Sequence, residues 1–197
     1  MSKIRILAVS SSLNPTSVSR CALFALEKHV EALGADFEFV DLALEEWSLP
    51  LFDPKRRVVP EAYGKIKTLM LQSHAVVLAT PDYHGGVSGV MKNFLDYYWG
   101  EFTGRLFGYV CASHEKGLTV MDQLRTSIRQ CYGWSLPYGV SLSEADLNPE
   151  RSELSNVKVD ARLEQLAFDL VTYGPLLSER FASDKGQAGH GFASFYK

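Results

Sequence analysis

The chain has 197 residues, 46% of them hydrophobic, and a formal charge of −3 spread along its length. That is enough for one well-buried core, and no basic stripe of the kind nucleic-acid binding needs is present, so one domain and no nucleic-acid partner are expected. The apolar stretch Ile6–Val9 is too short for a signal h-region, and no run approaches the roughly 18 apolar residues of a membrane span. The expectation is a soluble, cytoplasmic protein with no membrane partner.

Cys21, Cys111 and Cys131 form no C-x-x-C pair. His29, His74, His84, His114 and His190 lack the spacing of a metal-binding helix. Reduced thiols and no metal are expected.

In chain order, Ile4–Ser10 is an apolar, β-branched run that predicts a central strand. Ser17–Leu33 repeats apolar residues at helical spacing and is stopped by Gly34. Phe37–Leu42 predicts a second strand, followed by a proline-bearing loop to about Pro60 and a helix over Pro60–Gln72. Ala75–Thr80 is a third strand, followed by "PDYHGGVSG" and a helix from about Val90 to Trp99. Leu106–Ala112, a helix over Leu118–Cys131, a fifth strand over Trp134–Leu142 and a final helix over Val157–Phe181 complete the pattern. This alternation predicts an α/β fold: a doubly wound, three-layer sandwich on a five-stranded parallel sheet of order 2-1-3-4-5. Residues 1–181 would form this domain, with 182–197 a tail that is mobile or pins Phe192, Phe195 and Tyr196 against another subunit.

In this topology a ligand belongs on the loops after strands one, three and four, here "SSSLNPTSVSR", "PDYHGGVSG" and "SHEKG". The first lies at a helix N-terminus, where free N–H groups and the helix dipole favour an anion. With no glycine and no lysine it matches neither a dinucleotide fingerprint nor a Walker loop. Two readings stay open: a terminal monophosphate held by Ser12, Asn14, Ser17, Ser19 and backbone N–H groups, or Ser17 as a helix cap with serines filling the turn.

The segments Ser11-Ser12-Leu13-Asn14-Pro15-Thr16-Ser17-Val18-Ser19 and Pro81-Asp82-Tyr83-His84-Gly85-Gly86-Val87-Ser88-Gly89-Val90-Met91-Lys92-Asn93 resemble two segments of the NADPH-dependent FMN reductase family. The resemblance, over about residues 4 to 180, implies a flavodoxin-like fold, with the FMN phosphate on the first segment and the isoalloxazine ring on the second. Flavin contacts are then implied for Pro81, Asp82, Tyr83, His84, Gly85 and Gly86, the two glycines allowing close backbone approach. Asn14 stands where the family usually has an arginine, Arg20 could partly compensate, and Ser19 keeps a donor in place of asparagine. Ser113 and His114 are expected at the pyrimidine end of the flavin, while Lys116 and Gly117 suit a close approach or the extra phosphate of NADPH. Lys92 and Asn93 read as residues tying the following helix to the flavin loop.

The implied activity is an FMN-dependent NAD(P)H oxidoreductase that passes hydride from NADPH or NADH to flavin N5. A quinone, azo compound, metal oxyanion or flavin would then accept the electrons in ping-pong order, with no catalytic side chain required. Alternatives are release of free reduced FMN to a partner monooxygenase, a flavodoxin-like electron carrier, and a flavin-binding regulatory protein. Members of the family are dimers or tetramers, and the series Phe94, Tyr97, Tyr98, Trp99 and Phe102 points in too many directions for one buried helix face. Some of these rings are therefore expected against a second subunit.

Overall fold

The computed structural model describes residues 3–55, 58–150, 152–187 and 191–195. Seven strands and five α-helices follow one another: β1 (Arg5–Ser10), α1 (Val18–Ala32), β2 (Asp36–Asp41), α2 (Glu61–Gln72), β3 (Ala75–Tyr83), β4 (Gly86–Val87), α3 (Gly89–Tyr97), β5 (Leu106–Ala112), α4 (Leu118–Gln130), β6 (Trp134–Ser135), β7 (Val140–Leu142) and α5 (Val157–Asp184). The sheet order is β2-β1-β3-β5-β6, with β7 also on β5. Every pairing is parallel except the β3–β4 hairpin. This is the expected 2-1-3-4-5 winding, with β5 as the fourth strand and β6 and β7 sharing the fifth position.

The fifth strand breaks because Pro137 has no N–H to give to the ladder and Gly139 lies hard against its neighbours, where a Cβ would meet the Tyr109 carbonyl at 3.0 Å. Successive strand residues point to opposite faces, which divides the core in two. Ile6, Ala8, Ala75, Val77 and Ala79 pack under α1 and α5. Leu7, Val9, Val76, Leu78, Phe107 and Tyr109 pack under α2, α3 and α4.

The aromatic series after β4 is mostly internal. Phe94, Tyr98 and Phe102 are buried, and the Tyr97 hydroxyl donates to the Pro50 carbonyl at 2.8 Å. Trp99 is 65% exposed. Asn93 ties α3 to the segment after β2 and not to the flavin loop: its amide donates to the carbonyls of Leu49 and Pro50, and its oxygen accepts from the Phe52 N–H at 2.8 Å. Lys92 pairs along its own helix with Asp96 at 2.6 Å.

α5 runs three residues beyond the predicted end at Phe181. In the tail, Phe192 stacks on Tyr132 and Phe181, each with centroids 5.9 Å apart, and packs beside Trp134 on the edge strand. Tyr196 and His190 lie outside the described residues. No described helix is long and apolar enough to cross a membrane.

Candidate functional site

β1, β3 and β5 end at the same edge of the sheet, so the loops that follow them are forced together. With the turn after β7 they enclose a cavity of about 620 Å³, within the usual size range of small-ligand sites. Ser12, Asn14, Ser17, Pro81, Asp82, Tyr83, His84, Gly85 and Ser113, nine of the twelve residues named from the sequence, line it. Ser19, Arg20 and Gly86 stand behind the wall.

The first loop both caps a helix and faces the cavity. Ser17 caps α1, accepting from the Arg20 N–H at 3.2 Å, and also faces the cavity. Ser19 is buried with its hydroxyl 3.1 Å from that of Ser17. Asn14 closes a local turn by accepting from the N–H and hydroxyl of Thr16 at 3.0 and 3.1 Å. Arg20 is turned away from the cavity. Its Nε lies 2.7 Å from Asp41 Oδ2, too poorly aligned for a hydrogen bond. Its other nitrogens donate to the carbonyls of Ser12, Asn14 and Pro15. The one cation of the loop thus shapes the loop from behind.

The second loop is a two-residue hairpin. Tyr83 pairs with Gly86, and the residues between them, His84 and Gly85, both have positive φ, 57° and 75°, as a type I′ turn requires. Glycine meets this without strain, and histidine is among the side chains that tolerate it best. Asp82 holds the hairpin to its neighbours: one carboxylate oxygen accepts from the Gly85 N–H at 2.8 Å, the other from the Ser113 hydroxyl at 2.8 Å. Gln123 of α4 completes the clamp, accepting from the Val87 N–H at 3.1 Å and donating to the Gly85 carbonyl at 3.2 Å. Gly86 sits inside this clamp, where a Cβ would meet only ordinary contacts.

His114 lines the cavity, and Glu115 beside it. Sequence reasoning missed Val18, Ala112, Leu118, Thr119, Ser143 and Glu144. The first four were legible as immediate neighbours of the motif loops. Ser143 and Glu144 follow the predicted fifth strand, whose loop was not among the three expected to meet the ligand. Among the described residues no lysine or arginine lines the cavity, whereas Asp82, Glu115 and Glu144 do. Among the described residues no group of His, Cys, Asp and Glu is arranged to hold a metal.

Beneath the third loop, burial pushes the Cys111 thiol up to about 12, with the Asp82 charge adding to it. A raised pKa keeps the protonated, unreactive form at all ordinary pH values. In native protein treated with iodoacetamide at pH 8, peptide mapping should find Cys111 unmodified, and modified only after unfolding in urea.

The model of the NADPH-dependent FMN reductase family matches residues 4–146. The chain belongs to that family. An NADPH azoreductase from Bacillus sp. (strain OY1-2) is 35% identical over 109 residues, a match covering 53% of this chain and 60% of that protein. Among solved structures, FerB, a flavoenzyme NAD(P)H:(acceptor) oxidoreductase from Paracoccus denitrificans, has a TM-score of 0.73 at 17% identity, covering 88% of this chain and 98% of that one. An NAD(P)H:quinone oxidoreductase from Methanothermobacter marburgensis has a TM-score of 0.64 at 13% identity, covering 86% and 98%. At these identities the two structures share the fold of this FMN reductase family member.

Proposed function

We propose that this chain binds FMN in the cavity and acts as an NAD(P)H-dependent oxidoreductase toward a small-molecule acceptor. The observation that carries the reading is the convergence of a capped helix N-terminus and a glycine hairpin on one cavity. The donor set at the helix N-terminus suits a monophosphate: the hydroxyls of Ser12 and Ser17, the Asn14 amide and the free N–H groups of the first turn of α1. At the hairpin Pro81–Gly85 follow a ring edge, with Ser113 and His114 at the far side. FMN, when bound, supplies hydride acceptance at its N5 and onward electron transfer.

The chain's own residues orient and enclose. Ser19 and Arg20 support the phosphate loop, Gly86 supports the hairpin, and Leu118, Thr119, Ser143 and Glu144 bound the space left for nicotinamide donor and acceptor in turn. No step calls for an acid or base from the protein. A quinone, azo compound, metal oxyanion or free flavin fits this scheme as acceptor, with NADPH or NADH as donor. The reading carries with it a cytoplasmic location, a reductase domain over residues 1–181 and a homodimer or homotetramer, for which exposed Trp99 offers contact surface. Light scattering on the purified protein reads the oligomeric state.

The test is the absorbance spectrum of purified protein with added FMN, followed by anaerobic titration with NADPH and with NADH. Flavin bands that perturb on binding and bleach with the donor are expected; no binding, or binding without bleaching by either donor, overturns the reading. His84→Gly separates side chain from backbone, since glycine adopts positive φ freely. It should weaken FMN binding about fivefold, the scale of one lost hydrogen bond, with an unchanged or slightly raised thermal midpoint.

A second reading, release of reduced FMN to a partner monooxygenase, draws on the absence of any lysine or arginine among the described residues of the lining. Protein that stays yellow through exhaustive dialysis counts against it.

A further inference from the structure

Ser88 does not line the cavity and is 2% exposed, yet two of the site loops meet at its hydroxyl. It caps α3, accepting from the Met91 N–H at 3.1 Å, and its Oγ stands 2.9 Å from Ser11 Oγ. Ser11 Oγ lies 3.3 Å from the Ala79 carbonyl, which can only accept. Ser11 donates to Ala79, and Ser88 donates to Ser11, whose Oγ at 2.9 Å is nearer than its carbonyl at 3.5 Å, while the Met91 N–H occupies the acceptor side of Ser88. Thr80 completes the group, accepting from the Ser88 N–H at 3.2 Å, with the Pro81 carbonyl at 3.1 Å and Ser88 Oγ at 3.3 Å both within reach of its own proton. Ser11, Thr80 and Ser88 are all buried, where an unmade hydrogen bond is costly.

This chain of hydroxyls joins the first loop to the segment that follows the hairpin. Ser11 immediately precedes Ser12 at the phosphate end. Ser88 directly follows β4, whose pairing with Asp82 and Tyr83 holds the hairpin at the ring end. We infer that Ser88 and Ser11 are positioning residues that set the spacing between the phosphate loop and the ring-side hairpin, and so make the site selective for FMN over riboflavin. The inference rests on the FMN reading above. A ligand that grips both ends responds to their relative position, whereas one that lacks the phosphate responds only to the ring end.

The test compares dissociation constants for FMN and for riboflavin, read by quenching of flavin fluorescence on titration with the full chain. In Ser88→Ala, FMN should bind about tenfold more weakly, while riboflavin changes by less than about twofold. Ser11→Ala should reproduce this, the double variant should lose no more than either single one, and Ser88→Thr, which keeps the hydroxyl, should restore the ratio. Equal losses for the two flavins, an unchanged FMN-to-riboflavin ratio, or additive losses in the double variant would overturn the latch while leaving FMN binding by the wild type intact. A wild type that binds neither flavin overturns the FMN reading itself, and the latch with it.

Discussion

Replacing Arg20 with alanine should cost the fold about 3 kcal/mol and weaken FMN binding in the same variant. The Arg20 and Asp41 side chains are only 16% and 6% exposed and lie 2.7 Å apart. Without the guanidinium, Asp41 keeps one hydrogen bond from the Ala43 N–H at 3.1 Å but becomes a buried charge with no counter-ion, which is where most of the loss arises. Three carbonyls of the first loop, those of Ser12, Asn14 and Pro15, lose their donor together. For a chain of this length the stability loss corresponds to a fall of roughly 10 °C in the thermal midpoint. Arg20→Lys keeps the charge but not the planar fork that reaches three carbonyls and one carboxylate, so it should fall between wild type and alanine. A midpoint that does not move in Arg20→Ala contradicts the buried pair. An unchanged FMN affinity contradicts the role of Arg20 in shaping the loop.

Gly117→Ala should be of similar size, about 3 kcal/mol, combining a left-handed backbone penalty with overpacking. Gly117 has φ +57°, and a Cβ built there would stand 2.5 Å from Cys111 Sγ and 3.3 Å from Ser113 Cβ. Cys111 is fully buried in β5 and cannot swing clear, so the loop itself must move. Lys116 before it is left-handed as well, with φ 65°, which leaves the turn little freedom to absorb the change. Displacing this loop pulls Ser113 from Asp82 and slackens the hairpin at the ring end of the cavity. Urea unfolding should show a lower midpoint at unchanged slope. The double variant Cys111→Ala/Gly117→Ala should recover the part due to the sulfur clash and keep the part due to φ. A single variant with wild-type stability would mean that the loop tolerates the side chain.

Much of the site was legible along the chain because its parts are contiguous. The first loop, the hairpin and the start of the third loop are each short segments directly after a strand, and a parallel sheet places the ends of neighbouring strands side by side. Knowing the order 2-1-3-4-5 is therefore nearly enough to bring Ser12, Tyr83 and Ser113 to one cavity. The glycine pair showed where the chain turns back, although only the backbone angles show that His84 shares the left-handed conformation with Gly85 and that Gly86 stands behind the wall. Ser143 and Glu144 escaped notice because the ligand was expected only on the loops after strands one, three and four, whereas β7, beside β5, brings the turn after the fifth strand to the same cavity.

What the sequence determined by itself is the alternation of strands and helices, the face each strand residue takes, and the chemistry carried by each loop, since burial periodicity and turn residues are local properties. What only the tertiary structure decided is where the long polar side chains find their partners. Arg20 read as a candidate for the phosphate, yet the β1–β2 register sets Asp41 opposite Ser10, bringing a buried carboxylate to the base of the first loop. Asn93 similarly reaches the 49–52 segment, more than forty residues away. Such side chains can reach in several directions, and the partner that wins is set by which distant segment the fold packs within hydrogen-bonding range.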